Sequence, residues 1–203
     1  MSFPLGSLSN DAVPPGGAAP VATPRWRMQF VVVFGGVLWL LALLALVTHN
    51  ATDPAWSTSG IAAETHNRAG VIGAWFADIA FFLFGYSVWW ALLIAGRTWL
   101  SALAGWLRAE RAPAQAPEAA SLHRPAWLFW LGVVLVIAAS CALEWSRLYQ
   151  WEARLPGGHG GGVLGYALGR GSMTAIGFTG SGVFWIAALV LGLPLALRFS
   201  WST

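Results

Sequence analysis

The sequence predicts an all-α polytopic membrane protein with four transmembrane helices, and three observations favour this fold class. Of its 203 residues, 57% are hydrophobic and only 9% are charged, whereas a soluble domain carries about 25% charged residues. The mean hydropathy is +0.63. Long apolar stretches alternate with short polar segments, and arginines flank several of the junctions. We therefore expect the lipid bilayer to be the solvent, and the first partner, of most of this chain.

Four apolar stretches are long enough to cross a hydrocarbon core of about 30 Å. They comprise residues 28–47, 70–96, 126–143 and 183–199. These stretches predict a four-helix membrane domain over residues 25–203, with a linker at residues 98–123 between the second and third spans. Residues 1–24 are rich in Pro, Gly, Ala and Ser, a composition typical of a disordered tail.

Residues 162–179 are apolar as well, but Arg170 lies near the centre of this stretch. An arginine at the middle of a bilayer costs roughly 2.5–3.5 kcal/mol even on the scale obtained from insertion experiments. We therefore do not count these residues as a span. They are predicted to form an extra interfacial or re-entrant helix before the fourth span, packed against the bundle.

The distribution of arginine predicts the orientation of the four spans. If the N-terminus is cytoplasmic, the inner side carries seven arginines and the outer side carries four. The inner set is Arg25, Arg27, Arg97, Arg108, Arg111, Arg124 and Arg198, and the outer set is Arg68, Arg147, Arg154 and Arg170. This bias favours an N-in, C-in topology with a cytoplasmic tail and a cytoplasmic linker.

Composition excludes several kinds of chemistry. The chain has no lysine, so it can form neither a lysine Schiff base nor a P-loop with its lysine. Its one cysteine, Cys141, allows no internal disulfide and no cysteine cluster. We find no catalytic motif and therefore predict that these residues are not an enzyme.

A literal G-x-G-x-x-G occurs at Gly160, Gly162 and Gly165, but the pattern lacks the other features of a dinucleotide site. A proline and a glycine run precede it in place of a strand, and no acidic residue follows for the ribose. We therefore predict no cofactor. Glycines four residues apart, at Gly161, Gly165 and Gly169, instead indicate close approach of another helix.

Metal binding is also not expected. Three histidines and two acids fall on the predicted outer side, but no spacing brings two of them onto one helical face. They are His49, His66, His159, Asp53 and Glu64.

Asp78 is the acidic residue inside the predicted spans, and an intramembrane carboxylate is a candidate for a proton or ion path. No second buried acid or base accompanies it in the predicted spans, and relays need chains of such groups. A structural role as a cap or hydrogen-bond partner is therefore favoured. The alternative function is a small polytopic transporter or channel that uses Asp78, and a membrane redox enzyme is a more distant third.

The first outer loop and the second span carry a specific pattern. Residues 53–57 read D-P-A-W-S, residues 67–78 read N-R-A-G-V-I-G-A-W-F-A-D, and residues 81–85 read F-F-L-F-G. This pattern closely resembles the N-terminal four-span membrane domain of the FtsK/SpoIIIE family of septal DNA translocases. Residues 161–165, G-G-V-L-G, resemble the second outer loop of the same family.

The resemblance implies a hexameric protein of the bacterial inner membrane, located at the division septum and in contact with divisome membrane proteins. It implies a membrane-anchoring and divisome-interaction domain that acts in cell division and chromosome segregation. In the family a cytoplasmic motor translocates DNA with ATP. This sequence contains no Walker motif, so we expect DNA and ATP to be bound only through a motor domain outside this chain.

The resemblance also implies that the residues of the pattern fix the fold and have no catalytic role. Two tryptophans are expected to anchor the outer interface, two glycines to allow close helix approach, and Asn67 to cap the second helix. The full set is Asp53, Trp56, Asn67, Gly70, Gly73, Trp75, Asp78 and Gly85.

Overall fold

The computed structural model describes residues 25–57, 64–111, 125–148 and 160–198. In these ranges the chain is all-helical. The helices are α1 (Arg25–Val47), α2 (Gly70–Phe84), α3 (Val88–Arg111), α4 (Ala126–Arg147) and α5 (Gly162–Leu197), with one 3-10 turn at Gly85–Ser87. Four helical stretches are long and apolar enough to cross a membrane: Trp26–Val47, Gly70–Arg108, Ala126–Arg147 and Gly162–Leu197. The predicted all-α class with four candidate spans is confirmed.

Two predicted segments fall partly or wholly outside this description. The expected tail, residues 1–24, lies outside the described residues, and so does the second half of the expected linker from residue 112 to residue 124. The first half of that linker, from residue 98 to Arg111, belongs to α3.

The expected second span, residues 70–96, is not one continuous helix in the structure. It is interrupted at Gly85, whose φ of +58° lies in the left-handed region that favours glycine. A 3-10 turn follows, and α3 begins at Val88. With 24 residues, α3 is about 36 Å long and can cross a bilayer without α2.

Helix α2 crosses the end of α1 instead of running beside it. A Cβ atom at Gly73 would lie 3.4 Å from the Cβ of Ala45, while the ring of Phe81 lies 5.0 Å from the ring of His49. Eight residues along α2, about 12 Å, thus separate a contact with Ala45, near the end of α1, from a contact with His49, two residues after α1 ends. An antiparallel neighbour would instead have moved the same distance back along α1. The crossing buries one apolar cluster of Ala45, Leu46, Ala77, Ala80, Phe81, Val88 and Leu92.

Helices α1 and α3 are joined by two tryptophans that reach in opposite directions. Trp39 Nε1 of α1 donates a hydrogen bond to Leu92 O of α3 at 2.9 Å, and Trp99 Nε1 of α3 donates to Val32 O of α1 at 2.7 Å. The two indole rings stack, with centroids 6.4 Å apart and planes 7° from parallel. Because lipid offers no hydrogen-bond acceptor, each indole N–H finds its acceptor on the neighbouring backbone.

Two glycines make room for these rings. A Cβ atom at Gly36 would lie 2.8 Å from the Trp99 ring, and one at Gly96 would lie 2.9 Å from the Trp39 ring. We call Gly36, Trp39, Gly96 and Trp99 the tryptophan clasp. Small residues that let neighbouring helices approach are a usual means of association in membranes, where burial of apolar surface gives no driving force.

Helix α5 folds back on itself at Gly177, where φ is +72° and ψ is 173°. Ser172 Oγ lies 2.7 Å from Ser181 Oγ and accepts a hydrogen bond from Trp185 Nε1 at 2.9 Å. Thirteen residues of a continuous helix would separate Ser172 and Trp185 by about 20 Å. Residues 162–176, the short arm, therefore pair with residues 178–197, the long arm. The short arm coincides with the predicted extra helix before the fourth span; its interfacial or re-entrant position stays a prediction.

The short arm packs closely on α4 through its glycines, as their spacing of four predicts. A Cβ atom at Gly165 would lie 2.5 Å from Cys141 O, and Cβ atoms at Gly161 and Gly169 would clash with Cys141 and Trp145. The predicted close helix approach at these three glycines is confirmed.

The two ends of the bundle differ in composition. Trp39 bonds Leu92 and Trp99 bonds Val32, so α1 and α3 run antiparallel, and α1 begins on the side where α3 ends. Arg97 Nε donates to Leu197 O at 2.6 Å, so α5 ends on that side as well. We call this end, which carries Arg27, Arg97, Arg108 and Arg198, the basic end. The opposite end, formed by residues 48–57 and 64–69, is the loop end. Both ends of the described chain lie at the basic end, as an N-in, C-in topology requires; the leaflet that the basic end faces stays a prediction.

We predict that Gly96→Leu disrupts the tryptophan clasp. The leucine side chain would overlap the Trp39 ring, and overpacking of this kind costs about 1–3 kcal/mol. The free energy of unfolding, measured by titrating the micelle-embedded protein with sodium dodecyl sulfate, should fall by that amount. Gly105→Leu on the same helix is the matched control, because a Cβ atom at Gly105 meets nothing within 4 Å. Equal stability of the two variants would contradict the clasp.

Candidate functional site

Asp53 joins the two described parts of the first loop. Its side chain is 1% exposed, and its Oδ1 accepts the backbone N–H of His66 at 2.8 Å. Its Oδ2 accepts the backbone N–H of Asn67 at 2.9 Å, and His66 Nδ1 lies 2.9 Å from Oδ1. Burial by itself raises the pKa of Asp53, but the hydrogen bonds from His66 and Asn67 outweigh it and hold this pKa below its usual value.

Asn67 attaches the loop to the end of α1. Its Nδ2 donates to Ala45 O at 2.9 Å, and its Oδ1 accepts the backbone N–H of Ala69 at 2.9 Å. Ala45 carries one of the last carbonyls of α1, which need partners from outside the helix. The expectation that Asn67 caps α2 is wrong, because the N-cap is Ala69 and no side chain caps it. The amide is instead used at the preceding helix end, where Thr48 Oγ1 lies 3.3 Å from Asn67 Oδ1.

Asp78 holds the other side of the same loop. Its Oδ2 accepts the backbone N–H of Ser57 at 2.7 Å, and its Oδ1 accepts the Ser57 hydroxyl at 2.6 Å. Both oxygens of this buried carboxylate are therefore engaged by one loop residue. This arrangement favours the structural interpretation of Asp78 over a transport path.

The two tryptophans of the pattern are both partly exposed. The Trp56 ring packs edge-on against Phe82, with centroids 5.1 Å apart, yet 55% of Trp56 is exposed. Trp75 on α2 is 43% exposed. Two large aromatic side chains thus lie open at or beside the loop end, where a lipid headgroup region or a partner protein can reach them.

The glycines of the pattern meet different requirements. Gly70 has a φ of +72°, and nothing lies within 4 Å of a Cβ atom placed there, so its backbone conformation is the constraint. A Cβ atom at Gly73 would lie 2.8 Å from Asn67 Oδ1 and would clash with Ala69. A Cβ atom at Gly85 would lie 2.6 Å from Gly161 N, so this position combines positive φ with close approach.

Glu144 of α4 binds the interruption between α2 and α3. Its Oε1 accepts the backbone N–H of Tyr86 at 2.9 Å, and its Oε2 accepts both the backbone N–H of Ser87 at 3.0 Å and the Ser87 hydroxyl at 2.9 Å. The N–H groups that begin a helix have no partner within it, and the helix dipole favours an anion there. Glu144 is 5% exposed and supplies these acceptors from inside the bundle.

The start of α5 closes over the same point. Cβ atoms at Gly85 and Gly161 would meet Glu144, Gly161 and Cys141, and one at Gly162 would lie 2.6 Å from Phe82 O. The end of α2 and the starts of α3 and α5 therefore converge on one carboxylate. We call Gly85, Ser87, Glu144 and Gly161 the helix junction.

Glu144 is not among the residues that the sequence pattern predicts for the site. The predicted third span ends at residue 143, whereas α4 continues to Arg147. One signal was available: Ser140 and Glu144 are four residues apart, so they share a face of the helix. Ser140 Oγ indeed lies 2.8 Å from Ser87 Oγ, and with the Ser87 hydroxyl donating to Glu144, Ser140 is the donor of this pair.

The histidines have separate surroundings. His49 packs on Phe81, and burial lowers its pKa, partly opposed by the charges of Asp78 and Asp53. His66 pairs with Asp53, and His159 lies outside the described residues. Among residues 25–57, 64–111, 125–148 and 160–198, no three His, Cys, Asp or Glu side chains are grouped as a metal site would require.

We predict that Glu144→Gln destabilises the helix junction. A glutamine amide has one acceptor oxygen, and its NH₂ group would face an N–H donor, which leaves buried donors without acceptors at about 1–3 kcal/mol. The free energy of unfolding in micelles measures this loss. Glu64→Gln, at an exposed loop glutamate, is the control and should change stability by less than about 0.5 kcal/mol. A Glu144→Gln protein as stable as this control would refute the role given to the carboxylate.

We also predict that the Asp53 clamp is lost in acid. Because the folded-state pKa lies below the usual value of 3.8, its contribution is complete above that value and is lost as the pH falls through the lowered pKa. The stability difference between wild type and Asp53→Asn should therefore be present at pH 5 and should shrink below pH 3.8. A difference that already disappears near neutral pH would contradict this assignment.

The comparisons with known proteins agree with the geometry. The family model described as the 4TM region of DNA translocase FtsK/SpoIIIE matches residues 25–203. DNA translocase FtsK 2 of Ralstonia nicotianae is 36% identical over 177 residues, which cover 83% of this chain and 22% of that protein. DNA translocase FtsK of Pseudomonas syringae pv. tomato is 35% identical over 195 residues, or 90% of this chain and 22% of that protein.

A third relative, DNA translocase FtsK 1 of Neisseria meningitidis serogroup A, is 30% identical over 190 residues, or 88% of this chain and 22% of the relative. The chain thus spans about a fifth of the length of the curated relatives it matches. No solved structure matches it. The chain belongs to the FtsK/SpoIIIE family, and its residues 25–203 are the four-transmembrane region of that family.

Proposed function

We propose that this chain anchors an FtsK-type septal DNA translocase in the bacterial inner membrane and interacts there with divisome membrane proteins. The observation that carries the proposal is the family match over residues 25–203 on a bundle whose described ends lie on one side. With the predicted N-in, C-in orientation, a motor that follows the last helix would lie in the cytoplasm, where the DNA is. DNA and ATP would be bound by that motor, and these residues would have no enzymatic role.

The residues of the family pattern support a role in building an outer surface. Asp53, Asn67 and Asp78 each bind loop backbone, so the loop is tied to the ends of α1 and α2 at several points. A loop held in this way presents its exposed side chains in fixed positions, which lowers the entropy that binding a partner costs. We propose that one or both of the exposed tryptophans, Trp56 and Trp75, contact a divisome membrane protein.

We further propose that the domain assembles as a homo-oligomer, a hexamer as the family resemblance implies. Helix α1 supports this idea because one face of it packs on α2 and α3 while the opposite face is uncovered in the single chain. The exposed large side chains of that face include Phe30, Val33, Phe34, Val37 and Leu41. Lipid or a second copy of the chain can cover them.

The localisation of a fluorescent fusion in dividing cells tests the proposal. We expect the wild-type chain to concentrate at the septum and Trp56→Ala to lose much of this enrichment, because an exposed tryptophan at an interface commonly contributes 2 kcal/mol or more, about 30-fold in affinity. Trp127→Ala is the matched control, since Trp127 is similarly exposed but begins α4 at the basic end. Uniform membrane fluorescence of the wild-type chain would reject the septal role.

A further inference from the structure

A groove at the basic end is lined by both apolar and basic side chains, a combination that membrane anchoring alone does not require. It lies between the second half of α3 and the end of α5 and has a volume of about 580 Å³. One part of its wall is apolar and includes Trp39, Leu93 and Leu100. The other part carries Arg97, Arg108 and Arg198.

The arginines of this groove are positioned by the fold. Arg97 uses its Nε–H on Leu197 O, which is one of the five N–H donors of a guanidinium. The guanidinium of Arg198 lies 4.8 Å from the centre of the Phe129 ring, so a cation–π contact holds it at the end of α5. Arg108 follows Arg97 by eleven residues, three helical turns, and therefore lies on the same face of α3.

Among the described residues that line the groove, three are arginines and none is Asp or Glu. An occupant must therefore carry negative charge at one end and must be apolar at the other. Among amphiphiles that reach this position from a bilayer, an anionic phospholipid has both properties.

The length of the groove also fits a lipid. From Leu93 to Arg108 the wall follows fifteen residues of α3, about 22 Å. One leaflet of a bilayer with its headgroups is about 20–22 Å thick. Arg97 and Arg108 are about 16 Å apart along α3, so a lipid whose acyl chain lies against Leu93 and Leu100 places its phosphate between these two arginines.

We infer that this groove binds an anionic phospholipid, whose phosphate lies between Arg97 and Arg108, on the side of Arg198, and whose acyl chain lies against Leu93 and Leu100. The phosphate would accept charge-assisted hydrogen bonds from the guanidinium groups. The inference uses the basic end alone, so it does not depend on which protein the loop end contacts.

Native mass spectrometry of the purified 203-residue chain in detergent tests this inference. The chain is titrated with phosphatidylglycerol and, separately, with phosphatidylcholine that has the same acyl chains. We expect preferential binding of phosphatidylglycerol, which the double variant Arg108→Gln/Arg198→Gln should weaken about 30-fold. The control Arg68→Gln/Arg170→Gln removes the same charge from outside the groove and should bind like wild type. Equal affinity for the two lipids, or equal loss in both double variants, would overturn the inference.

A second variant tests the apolar half of the groove. Ala104→Trp fills the groove and keeps every arginine, so it should also lose phosphatidylglycerol. If far-UV circular dichroism shows that the arginine double variant does not fold, lipid binding by Ala104→Trp provides the test in its place. Soluble glycerol 3-phosphate should not displace the lipid. Displacement at millimolar concentration, or full lipid binding by Ala104→Trp, would indicate a site for a soluble phosphate and would reject the lipid.

Discussion

The bundle depends on one constraint, which is that a helix interrupted inside a membrane must find new partners for its free backbone groups. Lipid offers none, and each unsatisfied group costs several kcal/mol. The interruption at Gly85–Ser87 meets this constraint through Glu144, which accepts both backbone N–H groups and the Ser87 hydroxyl. Because Glu144 belongs to α4, the same bonds join the first three helices to the last two. Glu144 is therefore a central link between the two halves of the bundle, in addition to the bond from Arg97 to Leu197.

The short arm of α5 and helix α2 have the same design on either side of this junction. Each has fifteen residues and precedes a helix long enough to span, and each ends at a glycine with positive φ, Gly177 and Gly85. The end of α2 and the start of the short arm meet at Gly162, whose Cβ would overlap the carbonyls of Phe82 and Leu83. Short helices and tied loops thus meet at this side of the bundle, and the family pattern lies in them.

Hydropathy predicted the spans, because each helix must be apolar around its whole circumference. Arg170 predicted the extra helix, because an arginine at the centre of an apolar stretch argues against counting that stretch as a span. The interruption at Gly85 could not be predicted in the same way, since residues 70–96 read as one apolar stretch with a single charge, at Asp78, and contain other glycines, Gly73 and Gly96, that stay helical. What distinguishes Gly85 is its contact with Glu144, 59 positions away. The family pattern named Asp53, Asn67 and Asp78, but only the structure identifies their partners, because these bonds join residues 13 to 22 positions apart. The tryptophan clasp joins residues more than 50 positions apart and is equally invisible to local periodicity.

The clasp and the basic groove share a wall, since Trp39 and Gly96 belong to both. An occupant of the groove therefore contacts a surface that exists only while α1 and α3 are paired. A ligand that binds only the folded state stabilises it by mass action, so a lipid bound here would favour the paired arrangement in proportion to its occupancy. Arg97 extends the same coupling to α5 through its bond to Leu197. The composition of the surrounding leaflet would in this way influence how firmly α1, which contacts its neighbours along one face, is held in the bundle.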